Sequence, residues 1–483
     1  MSELKSISKK IFKQGVVFGL LSSLQNLSGF FLLPLITKFI STEDYGIYNL
    51  ILLTSTIFTL FFSLGTISSL TRYYHVSEKQ SYKDSIISNL FLISICSLSI
   101  LNLITWLFSD FISYLIFNHY DMSFEIFLMN LSLSLGIIQN LLLNILRFDN
   151  KAFKFSTITL SGVFINFTIS LFLLIKFNLG FSALIYGLLC SNFILFLHLF
   201  ISHYKRFSFR KIDLGKVKYL FDFGVKSAIS GLLFYIMDWG DKYMIDKLLD
   251  LKNVGIYSLG YRLGLIINII IITPFSLVWS NIRMQINKLK SYNSVTSLIF
   301  RVINLVSFTL ISIFVFFSQE ILGLFIDESY AESFSFVPII MLSFFVYGLV
   351  NILDYGLFIE KKMNHFIFFS CFAIVVNFTL NYLLIPNYGI FSAAFTTLVT
   401  YLIYTVLTFK FSRKFYDFGF SLSITYLVII ITLCNCFISY YFNLSLFLEV
   451  IILLFEVMMI MKMTLKSGEI NFLIYNFKKI KLK

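Results

Sequence analysis

The sequence predicts an all-α polytopic membrane protein: fourteen transmembrane helices, arranged as two parallel six-helix repeats with two additional C-terminal helices. Three observations carry that prediction. Of the 483 residues, 58% are hydrophobic and only 13% charged, where a soluble domain has about 25% charged, and the mean hydropathy is +0.87. The apolar residues gather in runs of the length, about 20 residues, that a helix needs to cross the hydrocarbon core. Short phrases of the first half also recur in the second at a nearly constant offset.

Taken in order, the runs place spans at 11–38, 47–71, 85–108, 122–146, 155–175, 179–202, 219–245, 255–281, 295–318, 332–358, 363–385, 388–409, 420–442 and 444–461. The longest polar connection, 203–218, has 16 residues, so no soluble catalytic domain fits between spans. The chain accordingly divides into an N-terminal six-helix lobe at 1–203, a cytoplasmic linker at 204–218, a C-terminal six-helix lobe at 219–411, and a tail at 412–483 holding two more helices and a basic end.

Alternate connections differ in charge, which sets orientation. With the N-terminus inside, the inner segments hold 31 of the 38 Lys and Arg residues, and the outer ones hold only Lys38, Lys176, Lys247 and Lys252. Both termini are therefore expected in the cytoplasm. The net charge of +13 is topology with some attraction to anionic lipid. Spread over separate loops, it does not form the single basic face that nucleic-acid binding requires. Five cysteines lie in apolar runs and read as buried thiols. Cys434 and Cys436 diverge on a helix and make no metal site. The start of the chain lacks the pattern of a removable signal peptide, so the first span is read as the targeting signal. A phosphate-cradling Gly-rich loop ending in Lys-Ser/Thr is absent from the sequence, against direct ATP use.

The repeat is explicit in the residues. Gly15, Gly46, Ile47 and Tyr48 return 209 positions later as Gly224, Gly255, Ile256 and Tyr257. Asn166-Phe167-Thr168 returns as Asn377-Phe378-Thr379 after 211, and Asn178-Leu179-Gly180 as Asn387-Tyr388-Gly389 after 209. Six spans per half, an even number, make the repeats parallel about an axis along the membrane normal. Gly65 and Pro274 occupy equivalent places in the second span of each half. Such residues loosen or kink a helix, so a bend in a conformational cycle and a static kink with close packing both fit.

The halves differ in charge. The first half has a single acid within its spans, Glu125 at the very start of one, whereas the second carries Asp238, Asp241 and Asp354 in addition to acids near span starts. The densest stretch is DWGDKYMIDKLLDLKNVGIYSLGYR, residues 238–262. Asp238, Asp241 and Lys242 stand at i, i+3 and i+4, on one helical face, and Arg262 follows in the next span. Ionisable groups at membrane depth are costly and mark a water-filled cavity or a substrate path. The alternative is mutual neutralisation, Asp238 with Lys242 and Asp241 with Arg262.

Three phrases carry a family resemblance: LLPLITKFISTEDYGIYNL at 32–50, LGTISSLTRYYHV at 64–76, and DKYMIDKLLDLKNVGIYSLGYRL at 241–263. They resemble the Wzx-like polysaccharide biosynthesis flippases of the multidrug/oligosaccharidyl-lipid/polysaccharide exporter superfamily. In that family's seventh-span signature an Asp-Arg pair precedes a Gly-Ile-Tyr-Ser turn. Here the pair is Asp241-Lys242, which keeps the charge without the forked phosphate geometry of arginine.

The resemblance implies a carrier rather than an enzyme. Such a carrier moves a polyprenyl-pyrophosphate-linked oligosaccharide, of O-antigen or capsule type, to the outer leaflet of a bacterial cytoplasmic membrane by alternating access. On that reading Lys242 and Arg262, with Arg72 and Lys226 nearer the inside, contact pyrophosphate and acidic sugar groups, and Gln25 and Asn26 hydrogen-bond sugar hydroxyls. Asp238 or Asp241 binds H⁺ or Na⁺, and no other cofactor is expected. Spans thirteen and fourteen suit a groove for the polyprenyl tail. Structural alternatives stand beside these: Arg72 and Lys226 as snorkelling side chains, Gln25 and Asn26 as interhelical glue, and the carboxylates as holders of Lys242 and Arg262. A monomer in contact with membrane lipids, and with other polysaccharide-assembly membrane proteins, is the expected state.

Three rivals remain. A lipid II flippase of the same superfamily differs only in cargo. A drug or cation antiporter calls for twelve spans and carboxylates in the first half. A surface-polysaccharide polymerase calls for a sizeable outer loop, and those around His119 and Glu328 are short.

Overall fold

The computed structural model describes residues 33–149, 151–207, 212–276, 292–360, 364–442 and 445–464, with the single positions 30, 279, 283 and 362. The described chain is helical with short connections. In order the helices are α1 Leu33–Phe39, α2 Thr42–Phe62, α3 Thr66–Tyr73, α4 Gln80–Phe117, α5 Ser123–Phe148, α6 Ala152–Phe177, α7 Ser182–His203, α8 Leu214–Trp239, α9 Asp241–Leu248 and α10 Leu251–Gly264. They continue as α11 Tyr292–Gly323, α12 Val337–Gly348, α13 Val350–Leu353, α14 Tyr355–Ile359, α15 Asn364–Ser412, α16 Ser423–Tyr441 and α17 Leu446–Thr464. A helix lies on each expected span from the second to the fourteenth, while most of the first lies outside the described residues. Among the described residues, 9 helices are long and apolar enough to cross a membrane, or 10 with one pair bent by 46°. The chain is an all-α polytopic membrane protein.

Local chemistry sets the ends of these helices. Ser41 caps α2 by accepting from the Asp44 N–H at 3.0 Å, with Glu43 and Asp44 in the first turn, where the helix dipole favours acids. The same helix ends at Leu64 and Gly65, whose φ values are 49° and 61°. The repeated Asn-x-Gly phrases are both turns. Asn178 (φ 51°) and Gly180 (φ 54°) close α6, and Gly389 (φ 66°) breaks α15 into two legs, which match the eleventh and twelfth spans. Helix α4 exceeds its predicted span: its 38 residues make about 57 Å at 1.5 Å per residue, and it stops at Asn118, in a left-handed conformation.

The chain falls into two compact units that divide between Ser258 and Leu259, within α10. The lobes expected at 1–203 and 219–411 follow chain order and the repeat; packing groups α8, α9 and most of α10 with the helices of the first six spans. In that unit Leu70, Ile86, Leu141, Leu199 and Leu220 form a core joining α3, α4, α5, α7 and α8. In the other unit α12 is buried on every side from Val337 to Val346, as expected of a helix that is apolar all round.

Two glycine contacts bring helices of the two halves together, and the first of them joins repeat-related ones. A Cβ on Gly46 in α2 would overlap the Leu251 carbonyl, and a Cβ on Gly255 in α10 would overlap the Thr42 carbonyl. Thr42 and Leu251 are themselves 209 positions apart, as are Gly46 and Gly255, so the contact is self-complementary in the manner of a two-fold interface. At the second contact Gly65 has the φ of 61° that favours glycine, and a Cβ there would overlap the Gly224 carbonyl on α8. One turn away, Ser69 Oγ donates to the Leu220 carbonyl at 2.8 Å.

Candidate functional site

The charged stretch sits where α8 gives way to α9. Gly240 joins them, its N–H donating to the Ile236 carbonyl at 2.9 Å as the last bond of α8. The three ionisable residues expected here are all buried: Asp238 is 8% exposed, Asp241 3% and Lys242 1%. A buried charge is tolerated only where other groups compensate it. The Lys242 ammonium lies 4.0 Å from the ring centroid of Trp239, one turn earlier, an attraction worth about 2 kcal/mol when desolvated. It also donates to Asn49 Oδ1 on α2 at 3.3 Å. Asp241 accepts the Tyr257 hydroxyl from α10, and the charges of Lys242 and Asp238 both act on its carboxylate. A hydrogen bond between Thr54 and Tyr243 ties α2 to α9.

The glycine contact explains why these groups converge. Asn49 follows Gly46 by about one turn and Tyr257 follows Gly255 by two residues, so the close approach of α2 and α10 brings an amide and a phenol to the same pair of charges. The arrangement places a cationic donor beside a carboxylate–phenol pair. The first can hold an oxyanion, and the second can hold a proton.

The other sequence candidates lie elsewhere. Lys226 is exposed on α8, about 18 Å along the helix from Asp238 at 1.5 Å per residue. Arg72 is exposed on α3, its guanidinium 4.4 Å over the Phe223 ring, one turn of α8 before Lys226. Arg262 is half-buried in α10, five residues beyond Tyr257 and within the unit that starts at Leu259. Gln25 and Asn26 lie outside the described residues. Gly65 forms the break between α2 and α3. Pro274 follows a π-helical turn at Asn268–Ile272, a wide turn that accommodates a residue lacking an N–H. Asp354 pairs with Arg283 at 3.2 Å.

Sequence reasoning missed Asn49, Trp239 and Tyr257. Two of them had a signal: Trp239 stands one turn before Lys242, and Tyr257 belongs to the repeated Gly-Ile-Tyr. A second polar cluster was missed altogether. Arg206 donates to Asp84 at 3.0 Å, Asp149 at 2.9 Å and the Tyr74 hydroxyl at 3.0 Å, joining three of the basic connections. Burial, with donation to the Asp149 carboxylate, pushes the Tyr74 phenol up to about 12.

Comparison with known proteins bears on the whole chain. A family model described as polysaccharide biosynthesis protein matches residues 11–280. Among solved structures, the lipid II flippase MurJ in an inward closed conformation superposes with a TM-score of 0.69 at 15% identity, covering 93% of this chain and 98% of that one. An inward-facing multidrug resistance MATE family transporter of the MOP superfamily gives 0.65 at 11% identity, covering 81% and 94%. A mutant of the Vibrio cholerae MATE transporter VcmN gives 0.62 at 13%, covering 87% and 100%. At these identities the likeness is one of fold. No curated protein matches the sequence.

Proposed function

Since the chain belongs to the polysaccharide biosynthesis protein family, we propose that it is a flippase that moves a polyprenyl-pyrophosphate-linked oligosaccharide from the cytoplasmic to the outer leaflet by alternating access. A sugar and a pyrophosphate cannot enter hydrocarbon unaided, so the cargo needs polar and cationic groups at membrane depth. The observation that supports this reading is Lys242: a cation 1% exposed, held by an indole ring and an amide at a junction between helices, in the phrase that carries the family resemblance. Lys242 takes the pyrophosphate, with Arg262 as a second cation. Asp238 and Asp241 either bind the H⁺ or Na⁺ that couples the cycle or hold Lys242 in place.

A second reading has its own support. The likeness in fold to a lipid II flippase extends over 93% of this chain, which favours a lipid-linked cargo of that kind. Translocation in proteoliposomes separates the two. The chain is offered a labelled polyprenyl-pyrophosphate oligosaccharide, lipid II and a cationic drug in turn. Transport of the oligosaccharide alone is the expected result, lost in Lys242→Ala. Transport of lipid II alone gives the cargo to the second reading. Drug transport without either lipid overturns both.

A further inference from the structure

A cavity of ≈ 470 Å³ opens between α5, α6 and α7, away from the Lys242 site. Its lining includes Lys151, Lys154, His198 and Arg206, against one carboxylate, Asp149. Arg206 is committed to Asp84 and Asp149, and Lys151 stands 3.8 Å from Asp149. Lys154 is exposed and has no ion pair among the described residues. The positive charge in the lining therefore exceeds the negative charge.

The helix beside the cavity sharpens that imbalance. Both lysines stand at the start of the 26-residue α6, which has no acid in its first turn and no side-chain hydrogen bond at its N-cap, Lys151. A helix N-terminus carries about +0.5 of an elementary charge and favours anions there; this one is met by two cations. An anion in the cavity would relieve both mismatches.

Two further features identify the anion. The connections at 147–154 and 203–218 are inner segments by the Lys and Arg asymmetry, so the cavity lies at the cytoplasmic headgroup level. From its lining residue Phe153, 84% exposed, an apolar stripe runs along α6 through Leu160 and Phe164, which is 70% exposed. That stripe covers about 16 Å at 1.5 Å per residue, roughly half of a hydrocarbon core about 30 Å thick, and so matches an acyl chain of one leaflet.

We propose that this cavity binds the phosphate headgroup of an anionic phospholipid of the inner leaflet, with Lys151 and Lys154 on the phosphate and an acyl chain along Phe153, Leu160 and Phe164. The proposal does not depend on the identity of the transported cargo. Native mass spectrometry of the full chain in neutral detergent tests it, with titration of phosphatidylglycerol, phosphatidylcholine and inorganic phosphate in separate arms. Phosphatidylglycerol is retained in preference to phosphatidylcholine, and Lys151→Gln and Lys154→Gln each weaken it about fivefold. Replacement of Lys79 and Lys83, basic residues of another inner connection, leaves retention unchanged. Size-exclusion profiles matching the parent confirm that the variants fold. Equal retention of the two lipids overturns the proposal, as does an equal loss from the Lys79 and Lys83 replacements. Inorganic phosphate binding as tightly as phosphatidylglycerol also overturns it, by assigning the cavity to a free anion.

Discussion

Replacing Lys242 by methionine keeps the bulk of the side chain and removes its charge, which separates the structural from the transporting role of the site. Lys242 and Asp241 are 1% and 3% exposed. Taking away one partner of a buried charge pair costs about 3–5 kcal/mol, because the other charge stays buried without compensation. The attraction to Trp239 at 4.0 Å, about 2 kcal/mol, is partly contained in that figure. Lys242→Met should therefore lose about 4 kcal/mol, a large share of a native stability of about 5–15 kcal/mol. The double variant Asp241→Asn/Lys242→Met removes both charges and should recover most of the loss, to within about 1 kcal/mol of the parent. Denaturant unfolding of detergent-solubilised protein measures the stability, and oligosaccharide-lipid translocation measures the proposed function. The double variant should be folded and inactive. A single variant as stable as the parent would refute the account of charge compensation. A double variant that transports at the parental rate would refute contact between Lys242 and cargo.

Three shorter predictions follow from other parts of the structure. Gly46→Ala, whose new Cβ meets the Leu251 carbonyl, should destabilise by about 1–3 kcal/mol through overpacking, and Gly255→Ala similarly; thermal unfolding of each against the parent checks this. Arg206→Gln leaves Asp84 and Asp149 without the guanidinium that joins them. It should cost about 2–3 kcal/mol, below the figure for a fully buried network, and should increase proteolytic cleavage of the connection at 203–218. The third concerns pH. The Tyr74 phenol lies near 12 in the folded chain against an ordinary value of 10.0, so folding favours its protonated form. Its contribution is fully present below pH 10.0 and is lost as pH rises towards about 12. The stability difference between the parent and Tyr74→Phe should shrink across that window and stay constant below it.

Much of the fold was legible because a bilayer imposes one length and one polarity on every span. The runs found the helices, while the Asn-x-Gly phrases, legible in the sequence only as repeats, are shown by the structure to be turns. Ends were less visible: α4 runs nine residues past its apolar run, to Asn118, because helix continues wherever no residue stops it. The site was legible by half. Asp238, Asp241 and Lys242 stand out because charge is rare in such a sequence, and their burial follows. Asn49 does not stand out, since one amide among many in apolar runs acquires meaning only through the helix it faces. Arg206, Asp84, Asp149 and Tyr74 were hidden for the same reason, being separated by as much as 132 residues. Spacing along one helix is readable from sequence, whereas adjacency across helices required the structure.

The contact between Gly46 and Gly255 has a consequence for how chemistry can be distributed over it. In a dimer of identical half-length chains, any residue placed on one side would appear on the other. Joining the halves in one polypeptide lifts that rule while the backbones stay matched. The counterpart of Lys242, 209 positions earlier, is Leu33, itself buried; that of Asn49 is Ser258. A self-complementary contact thus serves chemistry that is not itself duplicated: an ammonium hydrogen-bonded to Asn49 on one side, and a leucine at the equivalent place on the other.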